Sequence, residues 1–119
     1  MLTTRITPDD QRKFKRHPLM YYLNTFDFNT KKLIGNLIDI SIEGAMIFSE
    51  NPITCDEKIK LHIELPAGFL DGNCLDVEAE MVRNIRDINT DYHNIGFHFI
   101  NLDSRSQEVI ESLIHYYVF

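Results

Sequence analysis

Lys58-Ile59-Lys60-Leu61-His62-Ile63-Glu64-Leu65 decides the fold class. Ile59, Leu61, Ile63 and Leu65 alternate with Lys58, Lys60, His62 and Glu64, the period of a strand with one buried and one wet face. Pro66-Ala67-Gly68 breaks this run and Asp71-Gly72-Asn73 turns the chain. Leu75, Val77, Ala79 and Met81 then alternate with Asp76, Glu78 and Glu80, again with period two. Working outward, Leu19 to Phe28 is rich in Tyr, Phe and Thr and ends at the turn residues Asn29-Thr30. Lys32 to Ile40 and Gly44 to Phe48 read as the next two strands. Residues 87–94 read as polar turn, and Ile95, Phe97 and Phe99 face inward from a sixth strand. Ser104-x-x-Gln107 has the pattern of a capping box. After it, Val109, Ile110, Leu113, Ile114 and Tyr117 form an apolar stripe at helical spacing. Six closely spaced strands and one terminal helix predict a mainly β fold: a closed six-stranded antiparallel barrel with the C-terminal helix over one opening. There is no internal repeat.

The chain of 119 residues is one domain by length. At that size roughly two thirds of the unfolded surface can be buried, enough for one core. Charge is unevenly placed. Residues 1–16 carry Arg5, Arg12, Lys13, Lys15 and Arg16 against Asp9 and Asp10, a local +3, whereas residues 17–119 carry −9. So acidic a body repels duplex DNA and anionic lipid, which argues against a nucleic-acid polymer as partner. The division is therefore an N-terminal arm, 1–16, and a folded body, 17–119. Thr7-Pro8-Asp9-Asp10 reads as a helix start and Pro18 ends any such helix by residue 17. A helix over 8–16 puts Arg12 and Arg16 on one face at i, i+4; a loop also lets both fold back on a ligand. No apolar h-region opens the chain and no apolar run approaches the ~18 residues of a membrane span, so the expectation is a cytoplasmic protein.

Two short motifs carry the chemistry, 23 residues apart. Arg12-Lys13-Phe14-Lys15-Arg16 is an R-x-x-x-R segment with two guanidinium forks, each able to pair with a phosphate or stack on a base. Asp39-Ile40-Ser41-Ile42-Glu43-Gly44 is a D-x-S-x-x-G turn. Asp39 can accept N–H groups from a base edge, and Ser41 can donate to phosphate or cap the turn. Gly44 can take φ > 0 and admit close backbone approach. An anion bearing hydrogen-bonding bases, such as a nucleotide, suits this set. The alternative is a plain hairpin turn with Asp, Ser and Gly in their usual turn roles.

The two motifs, in this order, resemble the PilZ domain family, bacterial receptors for cyclic di-GMP. Ala45-Met46-Ile47, Met81-Val82-Arg83 and Ile95-Gly96-Phe97-His98-Phe99 add weaker similarities, so the resemblance spans roughly residues 11 to 117. It implies a PilZ-type barrel and a stand-alone, non-enzymatic receptor. Cyclic di-GMP would be bound by Arg12, Arg16, Asp39, Ser41 and Gly44, with Arg83 as a secondary contact at the end of its strand. Ligand would order the arm and alter the surface offered to a downstream protein, the chain being monomeric or homodimeric. The other reading is a PilZ-like interaction module that does not bind nucleotide. Gln11 stands where an arginine would add a stacking group.

Nothing in the chain reads as catalytic. The five histidines have no H-E-x-x-H spacing and adjoin no nucleophile motif, and His62 and His98 alternate outward on their strands. Glu78 and Glu80 share a solvated strand face. Cys55 and Cys74 form no C-x-x-C and lie near no histidine at ligand spacing, so the sequence indicates neither metal nor cofactor. Tyr116, Tyr117 and Phe119 are expected as an exposed C-terminal patch for a partner.

Overall fold

The computed structural model describes residues 17–50, 58–69, 72–86 and 92–118. Six strands run in sequence: β1 (His17–Asp27), β2 (Leu33–Ile40), β3 (Gly44–Ser49), β4 (Lys58–Glu64), β5 (Cys74–Arg86) and β6 (His93–Ile100), followed by helix α1 (Ser104–Tyr117). They close into an antiparallel barrel in the order β1-β2-β3-β6-β5-β4. Closure is the pairing of β1 with β4, Thr25 opposite Ile63 and Asp27 opposite Leu61.

Alternation sets the register. Ile59, Leu61 and Ile63 are buried while Lys58 and Glu64 are exposed. Opposite them on β5, Ala79, Val77 and Leu75 are buried too. A one-residue slip of β4 would turn its three apolar side chains outward. At roughly 1.5–3 kcal/mol each, that is about 5–9 kcal/mol, comparable with the whole stability of a domain. The core also takes in Leu37, Ile40, Ile47 and Ile95, with Val109, Ile110 and Leu113 from α1.

Three details depart from the sequence reading. First, β5 does not stop at Arg83 but runs to Arg86, and β6 already begins at His93, so the polar turn is shorter than 87–94. The alternation breaks because β5 bulges: Met81 faces Phe97, but Arg83 faces Gly96, leaving Val82 as the extra residue. Second, the helix cap is Asp103, one residue before Ser104. Asp103 has the extended dihedrals of a cap, and its Oδ1 accepts from Ser106 N at 2.7 Å. Third, Tyr117 is half-buried, with its ring 5.4 Å from Phe69 and 6.3 Å from Tyr21. Of the expected aromatic patch, Tyr116 is exposed, and Phe119 lies outside the described residues. No helix among the described residues is long and apolar enough to cross a membrane.

Candidate functional site

The D-x-S-x-x-G stretch joins β2 to β3 and forms a self-satisfied turn. Ser41 N donates to Gly44 O at 2.8 Å, and Ser41 Oγ accepts from Glu43 N at 3.1 Å and Gly44 N at 3.3 Å. The hydroxyl proton is engaged only weakly, with Gly44 O at 3.5 Å. Ser41 is 3% exposed, so its turn role is visible directly. Glu43 O accepts from Phe99 N at 2.8 Å, stitching the turn to β6.

Gly44 is required for a different reason from the one expected. Its φ is not positive; Gly68 alone among the described glycines has that conformation. A Cβ on Gly44 would instead collide with the Phe97 carbonyl oxygen and lie 3.1 Å from its carbon and 3.2 Å from His98 Cα. The close approach is between β3 and β6, where Gly44 pairs with His98.

Two bulges flank this turn. On β2 the register shifts between Leu37 and Asp39, which face Ile47 and Met46. On β5 the Val82 bulge leaves both Val82 and Arg83 exposed. Bulges re-aim side chains and are common beside functional sites. Here Ser41, Glu43, Gly44, Val82, Arg83, Phe97 and His98 surround one hollow of about 270 Å³. Arg83, read from sequence as a strand-end cation, thus shares a surface with Ser41 and Gly44. Asp39 lies one strand away. It is half-buried, with Oδ1 inaccessible to solvent, and is paired across the sheet with Pro18 at the start of β1. Arg12 and Arg16 lie outside the described residues.

Sequence reasoning missed Glu43, Val82, Phe97 and His98 as neighbours of the hollow. His98 was recognisable as outward-facing, but only the β3–β6 register sets it against Gly44. A larger hollow of about 530 Å³ runs along α1 past Arg105, Glu108 and His115. Among the described residues, none of the D-x-S-x-x-G motif and no bulge lines it. The fold adds a neighbourhood that sequence spacing does not reveal: Cys74 stands beside His62 and Asp76, residues of two paired strands.

The architecture is thus a small closed six-stranded β-barrel with a D-x-S-x-x-G turn between β2 and β3 and a C-terminal helix. The chain belongs to the PilZ domain family, whose model matches residues 10–116. Its fold is similar to the PilZ domain of YcgR from Escherichia coli with c-di-GMP: TM-score 0.65, 14% identity, 88% of this chain and 89% of that one. It is also similar to the K. pneumonia MrkH–c-di-GMP complex, with TM-score 0.69, 16% identity and 88% of this chain covered. The Bacillus subtilis inhibitor of motility MotI/DgrA gives TM-score 0.70 at 14% identity over 88% of this chain. The chain spans about half the length of the last two, 51% and 49%. No curated protein sequence matches it.

Proposed function

We propose that this chain is a non-enzymatic receptor for cyclic di-GMP, with the ligand held between the N-terminal arm and the D-x-S-x-x-G turn. The observation that carries the reading is the meeting of Ser41 and Gly44 with Arg83 in one hollow, beside the point where the arm joins the barrel. β1 starts with His17 opposite Ile40 and Pro18 opposite Asp39. The chain therefore enters β1 beside the motif, and the five residues from Arg12 to His17 span at most about 18 Å, a length that supports both arginines reaching the ligand.

The hollow by itself is small. Sites that enclose a drug-sized ligand occupy roughly 300–1,000 Å³, so a dinucleotide needs a second wall. The arm supplies it: Arg12 and Arg16 would clamp phosphates or stack on guanine. Asp39 would accept from a guanine edge, and the Gly44 region and Arg83 would line the floor. Each charge-assisted hydrogen bond contributes roughly 1.5–3 kcal/mol. A few of them plus base stacking reach the ~8 kcal/mol of micromolar binding after ordering costs. Family membership, and the c-di-GMP named with the similar YcgR and MrkH structures, support the same ligand.

Binding would order residues 1–16 and change the surface offered to a downstream protein, because only a ligand that prefers one state shifts an equilibrium. The protein would act in the cytoplasm as a monomer or homodimer. One feature favours the alternative, an interaction module without nucleotide: Ser41 already satisfies its own turn. Hydrogen exchange with and without cyclic di-GMP tests the switch. The receptor reading predicts new protection in residues 1–16. Equal protection in both states would remove the arm as the moving part.

A further inference from the structure

We propose that His62, Cys74 and Asp76 form a site for a thiophilic divalent cation, zinc by preference, clamped between β4 and β5. One imidazole nitrogen, the thiol sulfur and one carboxylate oxygen all lie within 4.8 Å of one another. Cys74 and Asp76 are two residues apart on β5 and so share a face, while His62 is the direct cross-strand partner of Asp76. The three donors come from two hydrogen-bonded strands of a closed barrel, so their backbones are already fixed. The His62 ring is further confined by Phe26 and Phe28, with centroids at 6.2 and 6.3 Å.

The donor types select the ion. Thiolate and imidazole together suit zinc, whereas calcium and magnesium take oxygen ligands. Zinc holds nitrogen and oxygen at about 2.0–2.2 Å and sulfur at about 2.3 Å, so tetrahedral donors stand roughly 3.3–3.6 Å apart. His62 Nδ1 and Asp76 Oδ1 are now hydrogen-bonded at 2.6 Å. They must separate by under about 1 Å, a side-chain rotation at half-buried and exposed positions. Glu64, the cross-strand partner of Cys74, or a water would fill the fourth position.

The surrounding charge favours a cation. Asp76, two residues from Cys74 on β5, and Glu64, its cross-strand partner, bring two carboxylates to the cluster. A divalent ion would replace the thiol proton and neutralise those carboxylates at once. Lys60 on the same strand holds its ammonium 4.2 Å from the Phe28 ring centre. Among the described residues the cluster shares none with the hollow beside Gly44, so the two sites are separate in the fold.

The test is titration of the full chain, under reducing conditions, with cobalt(II) and then zinc in competition. Wild type and Cys55→Ser should each take one cobalt and show a thiolate-to-cobalt charge-transfer band that zinc abolishes. Cys74→Ser should lose the band, and His62→Gln and Asp76→Asn should each weaken zinc at least ~10-fold, with far-ultraviolet circular dichroism unchanged. Zinc should raise the melting temperature of wild type but not of Cys74→Ser. A non-saturating cobalt signal in wild type, or a band that survives Cys74→Ser and disappears in Cys55→Ser, would overturn the site.

Discussion

Replacing Gly44 by alanine should destabilise the ligand-free protein by about 2–4 kcal/mol. The added methyl group meets the Phe97 carbonyl oxygen, which is backbone and cannot swing aside, with the Phe97 carbonyl carbon at 3.1 Å and His98 Cα at 3.2 Å. Carbon–carbon contacts are comfortable at ~3.5–4.0 Å, so β3 and β6 must part at their closest point. Overpacking of this kind costs roughly 1–3 kcal/mol. Displacing Gly44 also strains the hydrogen bond Ser41 N to Gly44 O within the turn and Phe99 N to Glu43 O across to β6, both 2.8 Å, at about 1 kcal/mol each. Alanine returns roughly 0.5–1 kcal/mol through its lower chain entropy when unfolded. At about 4 °C per kcal/mol for a domain of this size, the melting temperature should fall by roughly 8–16 °C. Urea denaturation of both proteins without ligand gives the difference directly, provided the m-values agree. A loss below ~1 kcal/mol would refute the reasoning, because the β3–β6 approach would then tolerate a side chain.

Arg12→Ala and Arg16→Ala should each weaken cyclic di-GMP by at least ~10-fold with the melting temperature nearly unchanged; a large thermal loss would assign them to the fold instead. Arg83→Ala, at an exposed position on the β5 bulge, should weaken binding several-fold without destabilising, and unaltered affinity would leave it a solvated cation. The backbone hydrogen bond from Ser106 holds the Asp103 carboxyl below its ordinary 3.8. Its stabilisation is therefore present above that value and lost as pH falls through and below it. Asp103→Ala should lower the melting temperature at neutral pH, and Asp103→Asn, which keeps the acceptor, should largely preserve it while flattening the acid side of the melting-versus-pH curve.

The barrel was legible because its strands announce themselves by period. β4 and the first half of β5 alternate so cleanly that their buried and exposed faces follow from the residues alone. The second half of β5 was not legible because the bulge at Val82 sends two consecutive residues outward, and no periodicity survives that. Capping was misplaced by one residue because Asp103 and Ser104 are both good caps, and only the dihedrals of Asp103 separate them. At the candidate site, glycine at position 44 was legible as special, but its reason was not. A clash with a strand more than fifty residues away has no local signature. The same holds for Cys74 and His62, which are twelve residues apart and meet only through the β4–β5 register. Chemistry that depends on one loop could be read; chemistry that depends on pairing between strands needed the fold.

Titration calorimetry of the full chain with cyclic di-GMP tests the central claim most directly. The account predicts saturable heat with an affinity in the micromolar range or tighter, about 8 kcal/mol or more. Linear pGpG should bind more weakly because it has more freedom to lose. The absence of heat at high protein and ligand concentration, with the barrel folded by circular dichroism, would contradict the receptor and leave a PilZ domain that meets its partners without the nucleotide.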